Sequence, residues 1–211
     1  MARGKLITIE GIDGSGKSTL AAALCGEIQR RDGRVQVLRE PGGVQLSERI
    51  RALLADPALR IGATTEALLY AAARAELVSA RLAPLLQDGT DVLLDRFVDS
   101  SLAYQGAGRG LGVERVRSIN ELALGGLAAD RTLLLEISPA PARERLQARG
   151  EWPDRLEGEQ EDFFERVAGA YRDIAKAEPE RIVSIDATLA PERVLELAIA
   201  AIEDLMPPLG R

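Results

Sequence analysis

The sequence predicts an α/β fold built on a mainly parallel five-stranded sheet. Five apolar runs of strand length alternate with longer segments whose apolar residues recur about every 3.6 positions. The first run leads through a glycine-rich turn into a helical pattern, which is the strand–turn–helix unit of such folds. No internal repeat or Ser/Gly-rich linker interrupts the 211 residues, so we expect a single domain over 1–211.

The predicted strands are short and largely apolar, as expected for a sheet buried on both faces. They cover 6–10, 35–39, 92–95, 132–136 and 182–186. Ligands of open parallel sheets bind beyond the carboxyl ends of the strands, so the functional residues should cluster there.

The predicted helices fill the intervals between the strands. They cover 17–32, 45–55, 65–88, 113–125, 139–149, 160–178 and 190–206. Thr64 or Thr65 is a plausible N-cap for the long central helix, and Pro84 should kink or close that helix near its far end. Pro139 and Pro191 suit the first positions of their helices.

Composition restricts the class of protein. The net charge of −6 disfavours general binding to nucleic acids or anionic membranes. Histidine is absent, which removes the usual general base and the commonest zinc ligand, and only three of the 27 basic residues are lysines. With a single cysteine, Cys25, no stretch of about 18 apolar residues and no leader-like start, the sequence favours a reducing, cytoplasmic location.

A phosphate-binding loop of the pattern G-x-x-x-x-G-K-[ST] directly follows the first predicted strand. Lys17 is expected to reach the β- and γ-phosphates of a nucleotide, and the Ser18 hydroxyl to ligate Mg²⁺. A chance glycine-rich turn is the alternative, which the strand and helix on either side disfavour. The residues that we expect to contact ATP here are Gly11, Ile12, Asp13, Gly14, Ser15, Gly16, Lys17, Ser18 and Thr19.

Charged residues end the second and third predicted strands. Asp95 stands where a carboxylate can hold Mg²⁺ directly or through water, although a strand-capping role is the alternative. Arg39, at the end of the second strand, offers paired donors for a phosphate oxygen. Because Pro and Gly pairs form turns in many proteins, the sequence from Pro41 to Gly43 says little by itself.

Three motifs together make the chain recognisable. They are the loop with its flanks, Ile9 to Thr19; Arg39-Glu40-Pro41-Gly42-Gly43; and Asp95-Arg96-Phe97 followed by Ser100-Ser101-Leu102-Ala103-Tyr104-Gln105-Gly106. In order and spacing they resemble the thymidylate kinase family over nearly the whole chain, and the last two are far more specific than the loop.

The resemblance implies a three-layer P-loop NTPase fold with a short mobile lid at about 145–160, and a homodimer. It also implies that the γ-phosphoryl group of ATP is transferred to dTMP with Mg²⁺. Asp13 would bind the 3′-hydroxyl of the deoxyribose or organise the acceptor phosphate and Mg²⁺. Arg39 and Arg96 would hold the acceptor phosphate, and Pro41 would line the acceptor site.

The same resemblance assigns the residues that contact the base. Tyr70, where the family usually has Phe, would stack on thymine, and Arg74, four residues on, would hydrogen-bond its O4. Ser101 and Gln105 would read the base edge, and Tyr104 would crowd the 2′ position. From the residues alone, Tyr70 could belong to the core, Arg74 could lie on a solvated helix face, and Tyr104 and Gln105 could pack in a turn.

The catalytic arginine is expected in the lid. One subgroup of the family carries an arginine in the phosphate loop directly after Asp13, where this chain has Gly14. The other subgroup supplies it from the lid, where Arg149 and Arg155 stand in a polar, turn-prone segment. Arg145, which we also expect to contact ATP, shares a helical face with Arg149. Trp152 and Pro153 enlarge that turn slightly, which bears on the register of Arg155.

Three other functions have to be weighed against a dTMP kinase. Another nucleoside monophosphate or deoxynucleoside kinase would need different base contacts. A nucleotide-dependent ATPase switch would not need acceptor-phosphate arginines such as Arg39, Arg74 and Arg96. A catalytically silent nucleotide-binding module would be favoured by damage to Lys17, Ser18 or Asp95, and all three are intact.

Overall fold

Five parallel strands form one sheet in the order β2-β3-β1-β4-β5 in the computed structural model, which describes residues 3–148, 155–156 and 159–206. The strands are β1 Leu6–Glu10, β2 Val35–Arg39, β3 Asp91–Asp95, β4 Arg131–Glu136 and β5 Ile182–Asp186. All five predicted strands are confirmed, with β3 and β4 beginning one residue earlier than expected.

The register of the sheet brings the predicted site residues to one edge. Ile9 at the end of β1 lies opposite Asp95, and Arg39 lies opposite Asp95 on its other side. The phosphate-binding loop begins directly after β1, which is the central strand. The carboxyl ends of β1, β2 and β3 therefore meet at the loop, as the sequence predicts.

Helices flank the sheet, and α1 and α9 pack together against it. The described helices are α1 Lys17–Arg30, α2 Gln45–Ala55, α3 Ala63–Leu77, α4 Ala83–Gln87, α5 Val98–Ser101, α6 Val113–Leu124, α7 Pro139–Ala148, α8 Glu161–Ala177 and α9 Pro191–Ile202. α7 and α9 begin at Pro139 and Pro191, as expected. No helix in the described ranges has the length and apolar character needed to cross a bilayer.

The long central helix differs from its prediction at both ends. It begins at Ala63 with Gly62 as N-cap, so the N-cap prediction for Thr64 or Thr65 is wrong and both lie in the first turn. A π-helical turn, Val78–Leu82, separates α3 from α4 just before Pro84. The N–H of Ala83 donates to the carbonyl of Val78, and this wider turn accommodates a proline that lacks an N–H of its own.

One functional segment has no counterpart among the predicted helices. Residues 98–108 form α5 and then a π-helical segment, Leu102–Gly108, that carries Tyr104 and Gln105. Most of this segment is buried, and it packs against α6 and α8. Because it is buried on nearly all sides, it lacks the one-sided periodicity by which helices are recognised in a sequence.

Candidate active site

The phosphate-binding loop connects β1 to α1 and contains a buried lysine. Gly16, the N-cap of α1, has a left-handed backbone conformation with φ +98°. The Lys17 side chain turns back over the loop, where its Nζ donates to the Ile12 carbonyl at 3.0 Å, and only 7% of the residue is exposed. The loop thus combines a helix N-terminus with a buried cation, an arrangement suited to phosphate.

Gly14 explains why the loop carries no arginine after Asp13. Its φ is +82°, and a Cβ at this position would lie 2.2 Å from the carbonyl oxygen of Ala142 in α7. Glycine is the residue that adopts such a conformation without strain, and here there is also no space for a side chain. An arginine at position 14 would require α7 to move, so the sequence departure at this position is built into the packing.

A cavity of about 430 Å³ opens between the loop, α7 and the connection from β5 to α9. Its size is that of a small-molecule site. The Ser15 hydroxyl lies there buried, with no hydrogen-bond partner among the described residues, so a donor for a ligand is available. We call this space the donor cavity; it is lined by Gly14, Ser15, Gly16, Thr19, Leu20, Ala23, Leu135, Arg145, Ala148, Ala187, Leu189, Pro191, Val194 and Leu195.

Gly11 and Ile12 lie away from the donor cavity. They line a separate space of about 510 Å³ at the ends of β4 and β5. The contribution of these two residues to a nucleotide site therefore comes through the backbone of the loop, as in the Ile12 carbonyl that holds Lys17.

Two oxygen ligands for a cation lie together, one from Ser18 at the start of α1 and one from Asp95 at the end of β3. The Ser18 hydroxyl donates to Asp95 Oδ2 at 2.7 Å. No group of three or more candidate ligands among His, Cys, Asp and Glu occurs in the described part of the chain. A pair of oxygens with open positions fits Mg²⁺, which keeps several waters and binds phosphate oxygens.

A second cavity opens on the other side of the loop, and we call it the acceptor cavity. Most of the sequence-predicted substrate residues line it, together with one residue from the lid segment, Leu156. The lining residues are Asp13, Glu40, Pro41, Arg51, Leu54, Ala55, Tyr70, Arg96, Ser100, Ser101, Tyr104, Gln105 and Leu156.

Asp13, Arg96 and Tyr104 form a charged cluster at the loop end of the acceptor cavity. Arg96 Nη2 donates to Asp13 Oδ1 at 2.5 Å, and the Tyr104 hydroxyl donates to Asp13 Oδ2 at 2.9 Å. Burial raises the pKa of the Asp13 carboxyl, but Arg96 and Lys17 outweigh it and lower the pKa to about 2. Asp13 is therefore a carboxylate, ready to accept from a hydroxyl.

The backbone at Arg96 is strained, with φ +71°. Neighbours hold it there: the N–H donates to the Ile9 carbonyl at 3.0 Å, and Nη1 donates to the Gly11 carbonyl at 3.0 Å. Strained residues of this kind cluster at functional sites.

Buried Glu10 organises the turn after β3, a role that the sequence analysis missed. Its Oε1 accepts from the N–H of Phe97 at 2.8 Å, and its Oε2 accepts from the hydroxyls of Ser100 at 2.6 Å and Tyr171 at 3.0 Å. Burial and nearby Asp99 raise the pKa of Glu10 to about 7. A carboxylate directly before the loop, at the end of an otherwise apolar strand, was the available signal.

Arg74 is buried behind the acceptor cavity, so the alternative that it lies on a solvated helix face is wrong. Only 1% of the residue is exposed. Its guanidinium donates to Glu40 at 2.8 Å, Ser101 at 3.0 Å and the Phe97 carbonyl at 2.9 Å, and it also contacts Asn120. Since its donors are engaged, a bond to a base would replace one of them, and that bond stays a prediction.

Arg39 also has a protein partner. Its Nη2 lies 3.0 Å from both carboxylate oxygens of Glu48, beside the cavity that contains Ser18 and Asp95. Binding an acceptor phosphate would require Arg39 to leave Glu48. This role stays a prediction.

Of the three arginines expected in or near the lid, Arg145 and Arg155 lie among the described residues. Arg149 lies outside the described residues, and exposed Arg145 lines the donor cavity. Arg155 contacts acceptor-side elements: Nε donates to the Leu54 carbonyl at 2.9 Å, and Nη1 lies 2.7 Å from Glu66 Oε2. To stabilise a transferring phosphoryl group, Arg155 would have to exchange Glu66 for the phosphates.

Further residues of the acceptor cavity were missed because their partners are distant in sequence. Glu40 is buried against Arg74, and Arg51 lines the cavity while donating to the Pro41 carbonyl at 3.1 Å. For Arg51 the signal was weak, since arginines are abundant in this chain.

Comparisons with known proteins decide the family. A sequence model described as thymidylate kinase matches residues 9–198, nearly the whole chain. The chain belongs to the thymidylate kinase family. The resemblance inferred from the three motifs is thereby confirmed, and the chain is an ATP-dependent phosphotransferase by family membership.

Individual thymidylate kinases match this chain over almost their full lengths. The chain is 46% identical to a thymidylate kinase of Deinococcus radiodurans, covering 95% of this chain and 97% of the relative. It is 42% identical to that of Chlorobaculum parvum, covering 96% and 97%. Among solved structures, a thymidylate kinase of Ehrlichia chaffeensis superimposes with a TM-score of 0.78 at 30% identity, covering 95% of this chain and 99% of that one. The P-loop fold predicted from the sequence is confirmed.

Proposed function

We propose that this chain transfers the γ-phosphoryl group of ATP to the phosphate of dTMP, giving dTDP and ADP. One observation carries the proposal: consecutive loop residues line different cavities, Asp13 the acceptor cavity and Gly14 the donor cavity. Two nucleotides bound on the two sides would meet at the loop. An ATPase switch would need only one of these cavities.

The residues of the chain would act mainly by positioning and charge. Lys17 and the loop N–H groups would hold the donor phosphates, and Arg96 would hold the acceptor phosphate beside Asp13. Ser18 and Asp95 would hold Mg²⁺, which would neutralise charge on the donor phosphates. Tyr70, Ser101 and Gln105 would fix the base, while the Tyr104 hydroxyl and Asp13 would surround the sugar.

The function is tested by a panel of acceptors with ATP and Mg²⁺. Phosphorylation of dTMP, dUMP, UMP, CMP, AMP and GMP would be measured as ADP formation. We expect dTMP to have the highest kcat/KM. A different preferred acceptor would refute the base assignment but not the kinase assignment, and ATP hydrolysis at equal rate without any acceptor would favour a switch.

We also propose that lid arginines stabilise the phosphoryl group in transfer, with Arg155 leaving Glu66 when ATP binds. Arg155→Ala should lower kcat by about a hundredfold or more and raise the KM for dTMP less, because the charge is needed mainly in the transition state. Steady-state kinetics in both substrates would measure this. Arg143→Ala, an exposed arginine on α7, is the control. Full kcat in Arg155→Ala would limit the role of Arg155 to its contacts with Leu54 and Glu66.

Binding of ATP should depend on the charge of Lys17. Burial, with Arg96 nearby, lowers the pKa of Lys17 to about 8 despite the carboxylates around it. In the enzyme without ATP, Lys17 is protonated below about pH 8 and loses its charge above it. The kcat/KM for ATP, which reports on the free enzyme, should therefore fall as the pH rises through about 8. Bound phosphates favour the charged form, so kcat should fall only at higher pH.

Initial rates from about pH 7 to about pH 9.5 would measure both profiles. The kcat/KM for dTMP at saturating ATP is the internal control. A kcat/KM for ATP that stays level across this range would contradict the role given to Lys17.

We propose that the chain forms a homodimer through α2, α3 and α6. α3 packs against both α2 and α6, and all three helices expose large apolar side chains. Leu46 and Leu53 on α2 and Leu68 on α3 are each about half exposed, and Leu122 on α6 is 91% exposed. Such apolar exposure across neighbouring helices is typical of an association surface.

Leu122→Glu should convert the dimer to a monomer, because a dimer would bury the new charge. Light scattering after size-exclusion chromatography would measure the mass. Ala200→Glu on the exposed face of α9 is the control and should leave the mass unchanged. A wild-type protein that is already monomeric would refute the proposal.

A cytoplasmic location, a single domain over 1–211 and the absence of a nucleic-acid partner remain part of the proposal. The net charge of −6 and the single cysteine support the location and the lack of nucleic-acid binding.

A further inference from the structure

Glu66 on α3 lies completely buried behind the base-reading end of the acceptor cavity. Its Oε1 accepts a hydrogen bond from Gln105 Nε2 at 2.9 Å and another from Arg109 Nε at 3.2 Å. Its Oε2 lies 2.7 Å from Arg155 Nη1. One carboxylate thus joins the π-helical segment to the lid segment.

The contact with Glu66 fixes which way the Gln105 amide points. Arg109 and Arg155 balance the charge of the Glu66 carboxylate, and a carboxylate can only accept hydrogen bonds. The NH₂ group of Gln105 must therefore face Glu66, which settles an assignment that amide geometry alone leaves open. Gln105 lines the acceptor cavity, and none of the described residues donates to its carbonyl oxygen, so that oxygen is available to a ligand.

An amide fixed in this way distinguishes pyrimidines by their N3 atom. In thymine and uracil N3 carries a hydrogen and donates, whereas in cytosine N3 has no hydrogen and accepts. A carbonyl oxygen that faces the cavity accepts a hydrogen bond from N3 of thymine or uracil, but finds no donor at N3 of cytosine. An unpaired buried acceptor costs far more than a lost contact of the same size.

We propose that Glu66 is a positioning residue that sets the preference for thymine over cytosine by holding the Gln105 amide in one orientation. The inference rests on the proposed contact between Gln105 and the base edge. It assigns Glu66 no contact with substrate. Because Glu66 also pairs with Arg155, a change at Glu66 can alter the transfer rate for every acceptor alike, so its specific effect should appear in the ratio between bases.

The test compares dTMP, dUMP and dCMP as acceptors for the full chain and for Glu66→Gln. A glutamine at position 66 can accept or donate, so the Gln105 amide can rotate and present its NH₂ group to the cavity. The kcat/KM ratio of dTMP to dCMP should fall about tenfold or more. An NH₂ group that faces the cavity pairs with N3 of cytosine but meets the N3 hydrogen of thymine with a second donor. The ratio of dTMP to dUMP should not change, because both bases carry the N3 hydrogen.

Two variants serve as controls. Glu76→Gln, on the same helix but away from the cavity, should leave both ratios unchanged. The exchange Glu66→Gln with Gln105→Glu places a carboxylate at position 105, which again only accepts, so the preference for dTMP over dCMP should return. This double variant also tests the proposal if Glu66→Gln alone does not fold, which thermal unfolding would show.

The outcomes distinguish a failure of the role proposed for Glu66 from a failure of the proposed contact between Gln105 and the base. If Gln105→Ala leaves the KM for dTMP unchanged, the proposed base contact fails and the inference fails with it, while the kinase activity stands. If Gln105→Ala raises that KM but Glu66→Gln keeps the dTMP to dCMP ratio of the unmodified chain, only the role of Glu66 is overturned. Poor discrimination by the exchanged double variant would overturn it too.

Discussion

Lys17→Ala is expected to lower kcat by about a thousandfold or more while the fold remains intact. The lysine is the buried cation of the phosphate-binding loop, and phosphoryl transfer depends on positioned positive charge more than on covalent chemistry. In the free protein its Nζ bonds only to the Ile12 carbonyl among the described residues. The alanine variant therefore loses one internal hydrogen bond but the whole charge interaction with ATP.

The thermal stability of this variant should change little. Burial lowers the pKa of Lys17 to about 8, which means that the surroundings disfavour its charged form. Removing the charge relieves that cost and offsets the lost hydrogen bond. Circular dichroism and thermal unfolding would follow the fold, steady-state kinetics would follow turnover, and Lys5→Ala at the surface is the matched control. A variant with a kcat within about tenfold of the unmodified chain would show that the loop N–H groups suffice.

The sheet and the loop could be predicted from sequence because they depend on local signals. Each strand is a short apolar run bounded by polar residues or turns. The loop motif predicts a strand before it and a helix after it, because its glycines form the tight turn between the two. Gly14 marks the limit of such signals: the expectation of a lid-supplied arginine came from the resemblance to the family, and it stays a prediction. The close approach of Ala142, which excludes a side chain at this position, became visible only in the packing.

The acceptor cavity could be predicted less fully, because its side chains choose partners far away in sequence. Arg74 and Tyr70 were placed on one helix face, yet Arg74 turns to Glu40 and Ser101 behind the cavity. A buried guanidinium must engage its donors, and the nearest acceptors lie on elements whose positions the sequence does not specify. Glu66 was missed for the same reason.

The π-helical segment Leu102–Gly108 was recognised by its motif but not by its shape. Its residues are buried on most sides, and a helix without a solvated face has no periodic pattern. Such segments are frequent at functional sites because they change the direction of side chains within one turn. Here that change carries Tyr104 and Gln105 to the acceptor cavity.

Arg96→Gly is expected to abolish turnover, with kcat lower by about a thousandfold or more, and to raise the KM for dTMP. Glycine is preferred to alanine for this test because Arg96 has φ +71°, which glycine adopts without strain and alanine does not. The substitution thus removes the guanidinium while leaving the backbone free to keep its conformation. Asp32→Gly is the matched control, since Asp32 has φ +59° at an exposed position remote from the site.

Arg96→Gly should weaken dTMP binding more than the loss of a single phosphate contact would, because Arg96 also balances the negative charge of Asp13. Arg96 is the largest of the influences that lower the Asp13 pKa to about 2. Without it, Lys17 is the positive charge that still lowers the pKa of Asp13 among the described residues. The Asp13 carboxylate and the acceptor phosphate, two anions, then repel one another across the cavity. The Asp13→Asn, Arg96→Gly double variant separates the two effects, because it removes the repulsion together with the guanidinium. Its KM for dTMP should lie below that of Arg96→Gly, whereas its kcat should stay as low, since the charge that stabilises the transferring group is still missing. A KM that does not recover in the double variant would show that Arg96 acts on the acceptor phosphate alone.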